Sequence, residues 1–373
     1  MDSLTHAMLG AALGHVVAGR SDRADGPAPG RTQGAWRALL IGAGIAWIPD
    51  IDVALGYWLS DAAALTFHRG PTHSISFAVG ISLLLGFLLH RVWSDVSRGR
   101  WTALAALVLA SHLLLDSLTS YGIQLLQPFS DHSFAIASVS VIDPLYTAPL
   151  LAVLVVPWLN RRHGMALVGG ALVLSSMYLL STLFYQHHAT AQIRAGLNQA
   201  GIPVERLFVK PTLFNSFLWR GIAVSGDRYV VTFYSRRDAL PPADFIHFER
   251  NGALLEPYQD EPVVQDLLKV SDGFYQAVRE DSELLFRDLR YGQAFEWLRD
   301  DRPHVFTYRL VSADDGSLDL ETLTLQREPK RDRATFTALI ARAKGLSDAD
   351  GQTRPQPPNG RSSVERGNTT PSG

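Results

Sequence analysis

The chain has 373 residues, a formal net charge of −2 and no cysteine, so it is long enough for two domains. The weak net charge excludes the strongly basic character of most nucleic-acid-binding proteins, and we expect no nucleic acid partner. The absence of cysteine excludes disulfide bonds and thiolate metal sites, so any metal must be held by nitrogen and oxygen ligands. Long uncharged runs in the first half contrast with a second half that is charged like a soluble domain.

Six apolar stretches in the first half predict membrane segments. They cover residues 3–18, 36–59, 74–93, 101–126, 142–159 and 165–185. The first stretch is short for a full span, which needs about 20 residues, so we count five to six segments. The predicted fold class is therefore mainly α, a polytopic membrane helical bundle that forms a first domain over residues 1–186.

The second half predicts a small α+β soluble domain over residues 187–330. Two strands are expected on either side of the turn signal Ser225-Gly226-Asp227, because Gly and Asp favour tight turns between apolar runs. Further strands are expected at 245–250 and 305–311, and helices at 262–270 and 282–289. Residues 331–373 become rich in Pro, Gly, Ser, Thr and Arg, and we expect a largely disordered tail.

Arginine is unevenly distributed between the loops that join the apolar segments. The loop after the first segment and the loops at 91–100 and 160–164 hold nearly all of it, and the opposite loops hold only Arg69. Because basic loops stay on the cytoplasmic side, we place the protein in a bacterial cytoplasmic (inner) membrane, with the second domain extracytoplasmic. This orientation also brings the histidines and acids discussed below to one level near the outer membrane surface.

The fourth apolar segment carries a histidine and an acid four residues apart. Helical spacing puts His112 and Asp116 on one face, where both can reach one cation, and zinc or manganese accepts this mixture of ligands. The alternative is a polar pair that bridges neighbouring helices. An apolar setting favours the metal, because unpaired polar groups cost most there.

The motif PDID interrupts the second apolar segment. Pro49 ends the preceding helix, and alternation points Asp50 and Asp52 the same way. Two carboxylates on one side of a break can bind a cation or supply a general base. The alternative is a helix end at the membrane surface with two solvated acids.

The motif HRGPTHS precedes the third apolar segment. His68 and His73 flank a Gly-Pro turn and can ligate a metal, while Arg69 can hold a phosphate or carboxylate oxygen. Thr72 or Ser74 can cap the following helix, and a helix N-terminus favours anions. An interfacial loop with incidental histidines is the alternative, but the isolated Arg69 favours a functional site that binds substrate.

His6 lies one turn into the first helix. A single histidine on an apolar face is usually structural. His6 becomes a candidate ligand only because the predicted orientation places it at the level of the other candidates.

Together these motifs resemble one known family. The stretches MDSLTHAMLGAALG, PDID, HRGPTHS, SHLLLDSLTSYG and IDPLY occur in this order within residues 1–186, and they are similar to the YdjM-like family of membrane-bound metal-dependent hydrolases. The resemblance is much weaker over the second half. It implies a hydrolytic activity and says little about the substrate.

A more distant likeness concerns the ligand set. Zinc-dependent phospholipase C and the fungal single-strand nucleases take zinc ligands from an early His, an Asp, a later His and a helical HxxxD. The likeness implies these ligands here: His6, Asp50 or Asp52, His68 or His73, and His112 with Asp116. By the same likeness Asp116 bridges two metals, although no second His-xxx-acid helix is evident, so one or two ions are expected.

The predicted function is hydrolysis of a phosphoester at the outer membrane surface, and the expected substrate is a phosphorylated or lipid-linked molecule. The cofactor would be a divalent metal, zinc before manganese or magnesium, that polarises a phosphoryl oxygen. Asp52 or Asp50 would orient or deprotonate water, and Arg69 would stabilise phosphoryl charge. Membrane lipid is the expected partner. Two alternatives stay open: an ion- or proton-coupled transporter, and a non-catalytic membrane anchor with a structural metal.

Overall fold

A computed structural model describes residues 1–19, 31–59, 61–159, 161–293, 304–312, 318–323 and 333–345. The helices within these ranges are α1 (Ser3–Ala18), α2 (Arg31–Ala46), α3 (Ile51–Gly56), α4 (Asp61–Phe67), α5 (Ile75–Val92), α6 (Arg98–Ser117), α7 (Pro144–Leu150), α8 (Arg161–Gln199), α9 (Pro262–Val270) and α10 (Arg333–Ala343). Two 3₁₀ segments matter below, Pro71–His73 before α5 and Leu151–Trp158 after α7.

Polar side chains fix where the first helices begin. The Asp2 carboxylate accepts the Thr5 backbone N–H at 3.0 Å and caps α1. The Ser74 hydroxyl accepts the Phe77 N–H at 3.1 Å and caps α5. Such caps stabilise a helix by about 0.5–2 kcal/mol each. The cap at Ser74 also fixes the position of His73, which directly precedes it.

Helices α1 and α2 cross with their backbones in contact. A Cβ atom on Gly42 would lie 2.0 Å from the Gly10 carbonyl oxygen, and one on Gly14 would lie 2.1 Å from the Ala38 carbonyl oxygen. Only glycine permits this approach. The crossing therefore depends on these glycines, and it holds the start of α1 beside the end of α2.

Two helices in the described ranges are long and apolar enough to cross a membrane: α5, and the Arg162–Gln199 part of α8. Both expose apolar side chains, including Leu83 and Phe87 of α5 and Leu174 and Met177 of α8. The prediction of a polytopic bundle with five to six membrane segments was therefore wrong.

The other apolar stretches are too short, are interrupted by proline or are buried within the protein. Helices α1 and α2 have only 16 residues each, and Pro149 and Pro157 interrupt the stretch that contains α7. Helix α6 has 20 residues, but Trp101, Leu104 and Leu109 are fully buried within the protein. The apolar side chains of α6 pack against other helices, and hydropathy alone does not distinguish a protein neighbour from lipid.

The second half forms two antiparallel four-stranded sheets, in the region for which a small α+β domain was predicted. The first sheet has the order β1-β2-β3-β4 and the second the order β5-β6-β7-β8. The strands are β1 (Arg206–Pro211), β2 (Leu218–Ser225), β3 (Arg228–Ser235), β4 (Ile246–Glu249), β5 (Tyr275–Glu280), β6 (Glu283–Gln293), β7 (His304–Ser312) and β8 (Leu318–Leu323). We call residues 206–323 the sheet domain.

Local sequence signals gave mixed results in this domain. The hairpin at Gly226 is confirmed, since Ser225 pairs with Arg228 across a two-residue loop in which Gly226 has a φ of +61°. The helix at 262–270 is also confirmed. The helix predicted at 282–289 is wrong, because this segment is β6. Its adjacent apolar residues fit a helical period, but pairing with β5 and β7 makes it the second of four strands.

Other predictions fall partly outside the described residues. Helix α10 lies within the tail expected to be disordered, and residues 346–373 of that tail are not described. Residues 20–30 and 160 of the predicted basic loops also lie outside the described ranges.

Helix α8 connects the two halves without a break. It has 39 residues, or about 58 Å at 1.5 Å per residue. Near its end, Ala189, Ile193 and Leu197 are buried against Trp219 and other residues of the first sheet. Helix α4 adds a second connection, because Leu65 packs against the core of the second sheet. Both contacts anchor the sheet domain to the helices.

A buried histidine should make the stability of the sheet domain depend on pH. His304 of β7 is 5% exposed, and burial, reinforced by the positive charges of Arg287 and Arg220, lowers its pKa to about 3. The unfolded chain binds a proton at this histidine below about pH 6.5, so stability falls as the pH drops from there toward 3, by about 1.4 kcal/mol per pH unit.

The measurement compares wild type with His304→Leu, which removes the titrating group at similar volume. Denaturant unfolding followed by circular dichroism, between pH 7 and pH 4, should give a steeper loss of stability for wild type. Parallel curves for the two proteins would contradict the assignment of a neutral buried His304.

Candidate metal centre

Four side chains from three separate segments converge in the helical half. Asp50 directly precedes α3, His73 ends the 3₁₀ turn before α5, and His112 and Asp116 share one face of α6. One ligand atom of each lies within 4.8 Å of the others. His73, His112 and Asp116 are buried, whereas the Asp50 side chain is 21% exposed. We call these residues the four-residue group.

Five of the six distances between the ligand atoms match a tetrahedral cation site. His73 Nε2 lies 3.3 Å from His112 Nε2, and each lies 3.4 Å from Asp116 Oδ2. Asp50 Oδ1 lies 3.6 Å from both nitrogens. A tetrahedron with metal–ligand bonds of about 2.0–2.2 Å has edges of about 3.3–3.6 Å. The five distances therefore fall in the range expected of four ligands around one zinc-sized ion.

The tautomers of the two histidines support the same conclusion. His112 Nδ1 lies 2.9 Å from the Ala46 carbonyl oxygen, which can only accept, so this nitrogen carries the proton. His73 Nδ1 faces the Asp52 carboxylate at 3.3 Å and the Thr72 hydroxyl at 3.1 Å, which also accept. When both rings are neutral, the Nε2 lone pairs of His73 and His112 point toward each other and toward the carboxylates of Asp50 and Asp116. A cation between them would remove this repulsion.

Asp116 has an oxygen on each side of this arrangement. Its Oδ2 belongs to the four-residue group and has no hydrogen-bond partner in the described part of the chain. Its Oδ1 contacts the Met1 amino group and lies 3.3 Å from His6 Nε2 and 3.5 Å from Arg69 Nη2. An unpaired buried carboxylate oxygen is costly, so the free Oδ2 fits a metal ligand.

Asp52 lies behind His73, outside the four-residue group. Its Oδ2 accepts the Arg69 backbone N–H at 2.7 Å and the Thr72 hydroxyl at 3.2 Å, and it faces His73 Nδ1. Burial acts to raise the pKa of Asp52, but its contacts with His68 and His73 outweigh burial and hold the pKa below its usual value. Asp52 therefore contacts the far side of His73, as carboxylates commonly do behind a ligand histidine in metal sites.

The remaining predicted residues surround this centre. The His6 ring stacks on that of His112 at 3.8 Å. His68 lies beyond Asp52, with Nδ1 3.5 Å from Asp52 Oδ1. Thr72 donates to Asp52. The Ser74 hydroxyl caps α5 and donates to the Pro71 carbonyl, so it serves the helix start.

Arg69 is buried at the edge of the centre, and its backbone is strained. Its φ of +59° lies in the left-handed region, which costs a non-glycine residue about 1–3 kcal/mol. This conformation accompanies the 2.7 Å hydrogen bond from its N–H to Asp52. Its guanidinium donates to the Thr119 hydroxyl at 3.3 Å and lies 4.6 Å from the centre of the Tyr121 ring.

Sequence reasoning missed Thr119 and Tyr121, which hold the Arg69 guanidinium. Both belong to the motif SHLLLDSLTSYG, three and five residues after Asp116. Their polar groups directly after HxxxD were the available signal. The backbone of Arg69 was also missed, since no residue type at that position predicts a left-handed conformation.

Comparisons with known proteins place these motifs in context. A family model described as YdjM inner membrane protein matches residues 1–189, which include the whole metal centre. The uncharacterized protein YfhP of Bacillus subtilis (strain 168) is 26% identical over 301 residues, which cover 80% of this chain and 81% of YfhP. The inner membrane protein YbcI of Escherichia coli (strain K12) is 39% identical over 101 residues, 26% of this chain and 57% of YbcI. No solved structure matches.

Proposed function

The chain belongs to the YdjM inner membrane protein family, and from this premise we propose that it is a membrane-bound, metal-dependent hydrolase of phosphoesters. The observation that carries the proposal is the four-residue group, whose ligand atoms have the spacing of a tetrahedral cation site beside a buried arginine. Metal ions and arginine are the groups that proteins most often use to stabilise phosphoryl charge.

Asp50, His73, His112 and Asp116 would hold the cation. Two imidazoles and two carboxylates suit zinc best, and manganese also accepts this mixture. A cation bound there would act as a Lewis acid toward a phosphoryl oxygen. The two carboxylates also balance its charge in a buried site, which lowers the cost of holding a dication away from water.

The surrounding residues would position the substrate and move the proton. Arg69 would donate to a phosphoryl oxygen and stabilise its negative charge. Asp50 is the exposed member of the group, so its second oxygen would accept a proton from an attacking water. Asp52 is already bonded to Arg69, Thr72 and His73, so we assign it the orientation of His73.

The test is hydrolysis of p-nitrophenyl phosphate and bis(p-nitrophenyl) phosphate by the detergent-purified chain. We expect activity that a chelator abolishes and zinc restores, and that Arg69→Gln lowers by about 10- to 100-fold in kcat, since it removes one donor to a charged transition state. His247→Ala, an exposed histidine on β4, is the control and should retain full activity. Activity that a chelator leaves unchanged, or no activity in zinc-loaded protein, would contradict the proposal.

One observation favours a second candidate, a membrane anchor with a structural metal. Structural zinc sites have four protein ligands, whereas catalytic sites usually have three and an open position. Metal removal separates the two functions. If the metal is structural, its removal by a chelator unfolds the protein. If the metal is catalytic, its removal leaves a folded but inactive protein with an unchanged circular dichroism spectrum.

A further inference from the structure

A cleft of about 470 Å³ lies between the helices and the sheet domain. Arg69 and Tyr121 line its helical side, and Arg206, Lys269 and Arg290 line its sheet side. Arg69 also contacts Asp116 of the four-residue group at 3.5 Å. The cleft therefore opens directly beside the metal centre, and residues beyond the family match at 1–189 form its far wall.

The described lining carries more positive than negative charge. It contains four Lys and Arg side chains and two carboxylates, Asp131 and Asp272. These acids form ion pairs with Lys269 and Arg206, but all four side chains of the two pairs are between 45% and 63% exposed. Exposed ion pairs contribute about 0–1 kcal/mol, so an anionic ligand can displace the acids at little cost.

Two buried arginines mark the deep part of the cleft. Arg69 is 7% exposed, and its Nε has no hydrogen-bond partner among the residues described. Arg290 is 3% exposed; it donates to Asp288 at 3.1 Å and to the Val270 carbonyl. A buried donor without a partner is costly, and the free Nε of Arg69 points to a ligand group that accepts from it.

An irregularity in β6 brings Arg290 to this position. The pairing register of β6 with β7 shifts between Asp288 and Gln293. Bulges of this kind change the direction of side chains and are common next to active sites. In the shifted segment, Tyr291 also reaches the helical half, with its ring centre 5.4 Å from that of Tyr121. The sheet domain thus contributes a fixed wall to the cleft.

We propose that the cleft binds the second phosphate of a diphosphate ligand whose first phosphate lies at the metal centre. Arg69 contacts the metal centre and the cleft, so it can donate to both phosphates, and Arg206 and Lys269 supply further positive charge on the sheet side. The proposal rests on the proposed function and names its substrate class, a diphosphate in place of a monophosphate. The diphosphate is carried by a lipid or by a soluble molecule.

The test measures binding of inorganic pyrophosphate and orthophosphate to the zinc-loaded, detergent-solubilised full chain by isothermal titration calorimetry. We expect pyrophosphate to bind at least about tenfold more tightly than orthophosphate. The double variant Arg206→Gln/Lys269→Gln should reduce this preference to within about threefold and leave the zinc content unchanged. Arg228→Gln/Arg279→Gln removes two exposed charges outside the cleft and should keep the wild-type preference.

Equal affinity of wild type for the two anions, or a preference that persists in Arg206→Gln/Lys269→Gln, would overturn the proposal. A second arm identifies the source of the diphosphate, with the protein in phosphatidylcholine nanodiscs that contain a polyprenyl diphosphate. Displacement of pyrophosphate indicates a lipid ligand, and its retention indicates a soluble one. Affinity and hydrolysis are separate measurements, so the preference can be present in a protein that hydrolyses no phosphoester. That outcome would refute the proposed hydrolase activity and support the proposed binding of a diphosphate in the cleft.

Discussion

The His112→Ala variant should lose its bound divalent metal, with a fall in affinity of more than about 100-fold. The reason is that His112 supplies one of four ligand atoms and also holds the group together. Its Nε2 lies 3.3–3.6 Å from ligand atoms of His73, Asp116 and Asp50. The three remaining ligands, two of which are carboxylates, would still attract a cation but would not complete a tetrahedral coordination shell. Metal content by mass spectrometry after dialysis against a graded chelator measures the loss.

Two further variants calibrate this result. Asp52→Asn keeps the shape of the side chain and removes the carboxylate behind His73, so we expect a fall in affinity of about 10- to 100-fold, the range for residues that orient a ligand. His247→Ala removes an exposed histidine and should leave the affinity unchanged. Full metal content in His112→Ala, or equal losses in His112→Ala and His247→Ala, would show that the four-residue group does not hold the metal.

The Gly42→Ala variant should disrupt the helical half. The added Cβ would lie 2.0 Å from the Gly10 carbonyl oxygen, and this atom belongs to the backbone, which cannot rotate away. Helices α1 and α2 would have to separate, at a cost above the roughly 1–3 kcal/mol of ordinary overpacking. His6 on α1 and the Ala46 carbonyl on α2, which holds His112, would move apart, so the variant should also lose metal.

Gly44→Ala is the matched control on the same helix. Among the described residues, no atom beyond the neighbouring residues and backbone of its own helix lies within 4 Å of a Cβ at Gly44. Alanine is favoured over glycine within a helix by about 1 kcal/mol. We therefore expect a melting temperature equal to or above that of wild type, measured by circular dichroism in detergent. A melting temperature of Gly42→Ala equal to those of Gly44→Ala and wild type would contradict the close contact of α1 and α2.

Local sequence patterns predicted part of the arrangement of the four-residue group. The spacing of His112 and Asp116 was sufficient to place both on one face of a helix, and that helix is α6. Pro49 and Gly70-Pro71 signalled the breaks where Asp50 and His73 lie. The distinct roles of Asp50 and Asp52 were not predictable, because a one-turn helix after Pro49 replaces the extended alternation that would point both side chains the same way.

The larger arrangement required information that local patterns do not contain. The apolar residues of α6 look the same in sequence whether lipid or protein surrounds them, so the number of membrane segments was overestimated. The helical period at 282–289 concealed a strand, and with it the contribution of Arg290 to the cleft. Pairing of β6 with β5 and β7 decides that segment, and the residues of both partners lie outside a window of eight residues.

The uninterrupted length of α8 has a mechanical consequence. One end of this helix is apolar and exposed, and the other end is buried beneath the first sheet. Because the helix is continuous, it holds the sheet domain at a fixed distance from the exposed apolar end of α8.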